Sequence, residues 1–314
     1  MMASLCAWRC RWLMEPKALS GCAPIGRHSV SVDIRGMLQA RASSSTATVE
    51  VFAAPTTQKI ETSPSPPESA PSSTTTGSWK SIFQGVIPQD AHLTSNWSEP
   101  PADFKVRSKR YLTNSVKENV GEAKCELVWV DVFQGERSKL FHVSQRPDSV
   151  VRHFSELHPD RELFVLNIVL AGVPEVTYAQ YFALRPDGVT DAFSKLWRDF
   201  MDGTDEFRNA RLKLIPRVVD GPWMVRKAVG AKPFILANAL DVHWYRGKNY
   251  LEAAVDVSSD TIAKKVTSLC RMCVASLVVD MALVLEGQSE DELPEAILGC
   301  VRYDRLDMKF ATCI

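Results

Sequence analysis

The sequence lacks the short motifs by which the common catalytic classes are recognised. It contains no GxSxG nucleophile elbow, no Walker phosphate loop, no HExxH pair, no protein-kinase set and no GxGxxG fingerprint. Its six histidines are scattered, and only His243 has suggestive company, because Asp241 and Tyr245 share its predicted strand face. The sequence therefore predicts a protein that is not an enzyme, with no catalytic residues and no cofactor.

Long apolar runs, a charge excess and a cysteine framework are also missing. The longest uncharged apolar runs, 163–174 and 272–279, are well short of the roughly 18 residues that a membrane-spanning helix requires. Lys plus Arg and Asp plus Glu both number 37, so the net charge does not favour a nucleic-acid partner. Cys270 and Cys273 have no second pair at zinc-finger spacing, and we expect reduced thiols and no metal site.

Residues 1–79 have a composition unlike that of the rest of the chain. Residues 1–45 contain six basic and two acidic residues, and a tract rich in Ser, Thr and Pro follows. This composition is typical of an organelle transit peptide followed by a disordered linker, with an ordinary disordered tail as the alternative. We therefore expect a plastid or mitochondrial protein, or alternatively a cytoplasmic one attached peripherally to a membrane, with one folded domain over residues 80–314.

The pattern of the predicted domain is mostly that of short β-strands. Apolar–polar alternation and β-forming side chains predict the strands, and helical periodicity predicts two short helices over 149–157 and 190–201. Residues 246–249 lie between two alternating segments and predict a hairpin turn. The predicted strands are 125–133, 163–170, 178–185, 224–229, 234–237, 242–245, 250–257 and 297–303.

One long amphipathic helix is predicted over 259–286, where apolar residues recur at steps of three and four. Asp280 lies at the centre of its apolar stripe, and a buried carboxylate requires a partner. We therefore predict an arginine or lysine from the sheet within bonding distance of Asp280, with Arg226 and Arg211 as the first candidates. A direct contact of Asp280 with a ligand is the alternative.

Alternation along the strand 250–257 places three polar residues on one face, and these are Tyr250, Glu252 and Asp256. The two carboxylates are separated by about 13 Å along the strand, which is too far to presume an acid/base pair. We predict a solvated face with cross-strand partners such as Arg226 or Lys227. A polar patch that holds a lipid head group is the alternative.

Trp223 follows a Gly-Pro turn and begins the strand predicted over 224–229. An aromatic residue in this position fills the core or lines the rim of a cavity, and the sequence favours the core. Together with the polar residues above it completes the set of ligand-binding candidates. They are Trp223, Arg226, Tyr250, Glu252, Asp256 and Asp280.

Several phrases in the later part of the chain resemble one known family. They read WSEPPADFKVR, FRNARLKLIPRVVDGPWMVRKAVGAKP, YRGKNYLEAAVDVSSDTIAKK, VVDMALVLEG and ELPEAILGCVRYDRLD. In this order they resemble the enhanced disease resistance 2 C-terminal domain, which is found in plants, algae and protists. The resemblance extends from Trp97 to the C-terminus.

The resemblance implies a regulatory role linked to lipids. Proteins of this family are associated with lipid binding and with restraint of pathogen-triggered cell death. Plant members often carry a pleckstrin homology domain and a START lipid-transfer domain before this module, and residues 1–79 are too few for either. No catalytic residue is established for the family, so none is transferred to this chain.

For the fold we predict an α+β domain with a curved, mostly antiparallel sheet packed by the 259–286 helix, with a START-like helix-grip cavity as one form of it. The leading functional hypothesis is a non-enzymatic module that binds a lipid or a membrane surface. A protein-interaction or scaffold domain is the alternative. A hydrolase that uses Glu252, Asp256 or His243 is a weaker alternative.

Overall fold

The structure is a computed structural model that describes residues 75–119, 121–186 and 191–314. The predicted transit peptide and most of the predicted linker lie outside the described residues. The domain boundary predicted at residue 80 falls inside the first described helix, which begins at Thr75. Trp79, on this helix, is buried in the main hydrophobic core.

The α-helices of the described residues are short. Ser149, Thr204 and Asp260 each precede a helix and accept a hydrogen bond from a backbone N–H of its first turn. The helices are α1 (Thr75–Phe83), α2 (Ala91–Ser95), α3 (Tyr111–Asn114), α4 (Arg137–Leu140), α5 (Val150–Leu157), α6 (Asp191–Asp202), α7 (Asp205–Asn209), α8 (Trp223–Val229) and α9 (Thr261–Met272). The helices predicted over 149–157 and 190–201 are confirmed by α5 and α6.

The β-strands are interspersed with these helices along the chain. They are β1 (Trp97–Ser98), β2 (Lys105–Arg107), β3 (Lys117–Asn119), β4 (Cys125–Gly135), β5 (Leu163–Leu170), β6 (Glu175–Leu184), β7 (Leu212–Asp220), β8 (Phe234–Ile235), β9 (Asp241–Arg246), β10 (Tyr250–Asp256), β11 (Val278–Leu285), β12 (Ile297–Asp304) and β13 (Thr312–Cys313). β9 and β10 form the predicted hairpin around residues 247–249.

The strands form two larger sheets and one small ribbon. One sheet has the order β1-β12-β11-β7-β8 and is antiparallel throughout. The other has the order β13-β4-β6-β5-β10-β9, in which β13–β4 and β5–β10 are parallel pairs. β2 and β3 make the ribbon. The α+β class and the mostly antiparallel pairing are confirmed, but the strands form two larger sheets where the sequence predicted one.

The two larger sheets pack against each other through β6 and β12. The rings of Tyr178 and Tyr303 meet edge to face with their centroids 5.5 Å apart. The Phe182 ring lies against the backbone of Gly299 so closely that a Cβ at position 299 would overlap it. Glycine is therefore required at that position by the close approach of the two sheets.

The opposite face of each larger sheet is also covered. On the six-stranded sheet, α1 and the segment 137–157 cover this outer face, and the Phe83 ring meets Trp129 with centroids 5.9 Å apart. On the five-stranded sheet, Phe104 and Val106 form a second small core. Their partners there are Ala123, Ile215, Ala282, Val284, Ile297 and Cys300.

The prediction of one long helix over 259–286 is wrong. α9 ends at Met272, a 3₁₀ turn follows over Val274–Ser276, and β11 occupies the centre of the five-stranded sheet. Because both faces of β11 are covered, its residues are nearly all apolar, and such a run has no period that separates strand from helix. The START-like helix-grip cavity, which rested on that helix, stays a prediction.

The strand predicted over 224–229 is also wrong, because these residues belong to α8. Gly221 turns the chain with a φ of 144°, and Pro222 has a φ of −56° that suits the start of a helix. Val225 is the buried residue of α8. The core position predicted for Trp223 is wrong as well, since this side chain is 69% exposed.

Candidate functional site

Three of the predicted site residues share one face of β10 as expected, and all three hold the segment 137–149 against the sheet. The predicted solvated face is therefore wrong for this strand. The predicted partners Arg226 and Lys227 lie on α8 instead. The three residues are Tyr250, Glu252 and Asp256.

Glu252 is fully buried, and both of its carboxylate oxygens accept hydrogen bonds. Oε1 accepts from the Val143 N–H at 3.1 Å and from Asn167 Nδ2 at 2.8 Å. Oε2 accepts from the Ser144 N–H at 2.9 Å. These donors explain how the carboxylate lies in the interior without a cationic partner. Glu252 therefore fixes the path of the segment above the sheet.

The other two residues hold the segment on either side of that point. The Tyr250 hydroxyl lies 2.7 Å from Nε2 of His142. Asp256 accepts a hydrogen bond from Arg137 at 2.5 Å. Partial burial opposes the charged form of Asp256, but the hydrogen bond from Arg137 holds the pKa of its carboxyl below the ordinary value. All three residues of the face thus have a structural task.

Asp280 is fully buried on the outer face of the five-stranded sheet, between two arginines of the flanking strands. Arg302 donates to it at 2.6 and 2.9 Å, and Arg217 donates at 2.8 Å. Burial opposes the charged form, but these hydrogen bonds hold the pKa of Asp280 below its ordinary value. The predicted arginine from the sheet is confirmed. The named partners Arg226 and Arg211 are wrong, because the prediction placed Asp280 on a helix.

A further buried carboxylate, that of Asp131 on β4, was not predicted. It accepts hydrogen bonds from Trp129 Nε1 and from the Tyr181 hydroxyl, both at 2.9 Å. Neither donor is charged, and burial raises the pKa of Asp131 to about 7. The alternation in CELVWVDVF placed this residue on a strand, and its position between apolar neighbours was the signal that could have revealed it.

We expect Asp131→Asn to flatten the pH dependence of stability. Because the folded pKa lies above that of the unfolded chain, the folded state binds the proton more tightly, and stability falls as the pH rises from about 4 to about 7. In urea titrations that fall should be about 3–4 kcal/mol smaller in the variant. The exposed Asp160→Asn is the control, and identical pH profiles for both variants would contradict the prediction.

Trp223 and Arg226, the remaining candidates, lie at the surface on α8. Met224 beside Trp223 is also exposed, and Nζ of Lys227 lies 5.9 Å from the centre of the Trp223 ring. Arg226 donates to a backbone carbonyl of the preceding turn at 3.1 Å and to Asp220 at 3.3 Å. Arg226 therefore holds the start of the helix, while about two thirds of the Trp223 surface is open to solvent.

α9 lies beside α8, and none of its residues is buried. Ile262 is 52% exposed and Met272 is 79% exposed. Arg271 anchors the helix by donating to the carbonyl oxygens of Ala171 at 3.0 Å and Pro174 at 2.8 Å. We use the name α8–α9 face for the exposed residues Trp223, Met224, Lys227, Lys232, Ile262, Lys264, Lys265 and Met272.

The α8–α9 face combines apolar and basic side chains in segments that contain no acid. Residues 221–240 and 261–279 include neither Asp nor Glu. Arg226 and Arg271 are engaged with the protein, so four exposed lysines dominate the charge of the face. Sequence reasoning missed this surface because it assigned α8 to a strand and the apolar stripe of α9 to the core. The acid-free runs were the signal that could have revealed it.

Metal-binding and membrane-spanning features were also sought among the described residues. Within 75–119, 121–186 and 191–314, no three His, Cys, Asp or Glu side chains come together as a metal site. Cys270 and Cys273 are free thiols, and burial raises the pKa of Cys270 to about 11. In the same part of the chain, every helix falls short of the length and apolar character needed to cross a bilayer.

Comparison with known proteins finds relatives for about two thirds of the chain. Residues 97–307 match the family described as Protein ENHANCED DISEASE RESISTANCE 2, C-terminal. A protein of Arabidopsis thaliana described as Protein ENHANCED DISEASE RESISTANCE 2-like is 35% identical over 211 residues. That alignment covers 67% of this chain but 28% of the length of the relative. No solved structure matches the chain.

Proposed function

The chain belongs to the enhanced disease resistance 2 C-terminal family, and from that premise we propose that it is a non-enzymatic regulatory module that docks on membrane surfaces through the α8–α9 face. One observation carries the proposal. Exposed Trp223 and Met272 accompany four exposed lysines on two neighbouring helices and the turn after α8, in segments that contain no acid.

The chemistry of the α8–α9 face suits the head-group region of an anionic bilayer. Tryptophan is favoured at that depth because its ring is apolar and its indole N–H can bind water or a head group. Each lysine near an anionic surface contributes about 1 kcal/mol. Four lysines would contribute roughly 4 kcal/mol, which corresponds to a factor of about 1000 in affinity.

The contacts of the predicted polar residues support a non-catalytic role over a hydrolase. Both carboxylate oxygens of Glu252 accept hydrogen bonds, and Asp256 is paired with Arg137. His243 is exposed, and its ring meets the edge of Phe141 with centroids 5.4 Å apart. A general base must be able to reach its substrate, but Glu252 is fully buried and the Asp256 carboxylate is held in an ion pair with Arg137.

Vesicle sedimentation tests the proposal. We expect the wild-type chain to bind phosphatidylcholine vesicles that contain phosphatidylserine, and to bind more weakly as salt is added. Lys264→Glu combined with Lys265→Glu should reduce the affinity by roughly 100-fold or more, because two favourable charges become repulsive. Trp223→Ser should weaken the binding through loss of apolar contact.

Matched controls use exposed residues on elements other than α8 and α9. Lys105→Glu combined with Lys117→Glu makes the same change in net charge on the exposed β2–β3 ribbon. Leu157→Ser removes a comparably exposed apolar side chain from α5. Vesicle binding that falls equally in the test and control variants, or a wild-type chain that binds no vesicles, would refute the membrane proposal.

A protein-interaction or scaffold role is the second candidate, because an exposed tryptophan also fits an apolar pocket of a protein partner. Absence of vesicle binding together with a stable complex that requires Trp223 would favour it. The proposed location, in a plastid or mitochondrion or else at a membrane in the cytoplasm, rests on the composition of residues 1–79. Imaging of fluorescent fusions with and without residues 1–68 tests the location.

A further inference from the structure

The turn between β5 and β6 carries the most exposed large apolar side chain of the described residues. This side chain, Val173, is 94% exposed, and the next most exposed is Met272 of α9 at 79%. A single exposed apolar residue is common at a protein surface, whereas apolar residues grouped in one patch mark an interaction site. The relative position of the turn and α9 therefore decides what Val173 can do.

Arg271, in the last turn of α9, binds the β5–β6 turn directly. Its guanidinium donates to the carbonyl oxygen of Ala171 at 3.0 Å and to that of Pro174 at 2.8 Å. Val173 lies between these two contacts in the sequence, and Met272 follows Arg271 by one residue, which is about 3.8 Å of chain. The two most exposed apolar side chains therefore belong to adjoining segments at the C-terminal end of α9.

The β5–β6 turn has few groups that would oppose contact with lipid. Residues 163–174 contain no charged side chain. Backbone groups that leave water need partners within the protein, and Arg271 supplies them for two carbonyls of the turn, while Pro174 has no N–H. The first acid after the turn, Glu175, forms an ion pair with Arg137 at 3.4 Å. Its negative charge is thus partly neutralised beside an anionic surface.

From this arrangement we infer that the β5–β6 turn is a second membrane-contact element, which inserts Val173 beside Met272 at the boundary between the head groups and the acyl chains of an anionic bilayer. The inference rests on the function proposed for the α8–α9 face and adds to it an uncharged anchor. The lysines of the face attract the phosphates, and the turn contributes apolar contact, the two terms that bind interfacial segments to membranes. Salt screens only the first of them.

Val173→Ser tests the inference in vesicle sedimentation with phosphatidylcholine vesicles that contain phosphatidylserine. We expect the affinity to fall roughly three- to tenfold, with the same dependence on salt as in the wild type. Lys264→Glu combined with Lys265→Glu should instead weaken the salt dependence. Val173→Trp should bind more tightly than the wild type, because tryptophan is favoured at the interface. A gain of affinity also separates the effect of the turn from a loss of folding.

Val86 provides the matched control, because it is a valine that is 51% exposed on an element other than α8, α9 and the β5–β6 turn. Val86→Ser and Val86→Trp should leave the affinity unchanged. If the wild type binds vesicles and the lysine variant binds weakly, but both Val173 variants bind as the wild type does, the inference is overturned and the proposed function stands. Equal changes at positions 86 and 173 also overturn it. A wild-type chain that binds no vesicles overturns both, even where a protein complex depends on Val173.

Discussion

A chain that begins at residue 97, where the matched family range begins, is expected not to fold. The segment 75–96 contributes four buried apolar side chains to the main core, and these are Trp79, Phe83, Ile87 and Leu93. Burial of such a side chain contributes roughly 1.5–3 kcal/mol. Their sum of about 6–12 kcal/mol is comparable with the whole stability of a domain, about 5–15 kcal/mol.

Polar contacts join the same segment to the rest of the protein. Nζ of Lys80 donates to the carbonyl oxygen of Trp97 at 2.5 Å, and within the segment to that of Thr94 at 2.6 Å. It also lies 3.9 Å from the centre of the Trp97 ring, and burial lowers its pKa to about 8. Gln89 donates to the Val130 carbonyl of β4 at 2.7 Å. The segment is therefore part of the fold and not an appendage.

Circular dichroism and thermal unfolding of the chains 69–314 and 97–314 test this expectation. The longer chain should unfold in one cooperative transition, and the shorter chain should lack such a transition or be insoluble. Trp79→Ala in the longer chain should lower the free energy of unfolding by about 3–5 kcal/mol, which separates the packing effect from the change in length. Equal transition temperatures for the two chains would contradict the prediction.

Asp280→Ala is expected to lower the free energy of unfolding by about 3–5 kcal/mol. The substitution leaves Arg217 and Arg302 facing each other across β11 without the carboxylate between them. Asp103→Ala is the matched control, because Asp103 pairs with the same Arg217 at 2.7 Å but is 61% exposed. That variant should lose less than about 1 kcal/mol.

The effect of Asp280 should depend on pH in one direction. Because its folded pKa is lowered, the carboxylate contributes stability above the pKa of the unfolded chain, and this contribution is lost as the pH falls through the folded pKa. The difference between wild type and Asp280→Ala should therefore shrink from neutral pH to below about pH 4. A difference that is constant between pH 7 and pH 3 in urea titrations would argue against a charged Asp280.

Much of the sheet structure was predictable because the strands carry their own signals. β5 begins and ends where the sequence predicted, because a nearly all-apolar run of eight residues between polar segments is typical of a strand buried on both faces. The β9–β10 hairpin was predictable because turn residues with a glycine separate two alternating segments. The parallel pairing of β5 with β10 was not predictable, because no local pattern encodes which distant strands become neighbours.

The largest error, the 259–286 helix, arose where local patterns are ambiguous. The apolar residues of β11 fit both the stripe of an amphipathic helix and a strand that is covered on both faces. The segment forms a strand because it pairs with β7 and β12. The need of Asp280 for an arginine was still predictable, because the cost of burying a carboxylate does not depend on secondary structure. The identity of the arginines was not predictable, because it depends on the register of β7 and β12.

For Tyr250, Glu252 and Asp256, the sequence predicted the shared strand face correctly but predicted wrongly that this face is solvated. Their shared face on β10 follows from alternation alone. Glu252, however, binds the backbone of Val143, which is 109 residues away in the sequence. No local sequence pattern near Glu252 or Val143 predicts the hydrogen bond between them. The exposure of Trp223 was not predicted, because the sequence assigned it to a strand, whereas α8 buries only Val225.

The interleaved order of the strands has a consequence for how the protein is made. β1 pairs with β12 and β4 pairs with β13, so each large sheet joins a strand that is made early to one that is made much later. During translation, the inner face of β4 and β6 stays exposed until β12 has been synthesised. Folding that depends on strands so far apart in the sequence is slow. We therefore expect nascent chains of this protein to depend on chaperones that shield the apolar β-surface until β12 and β13 have been made.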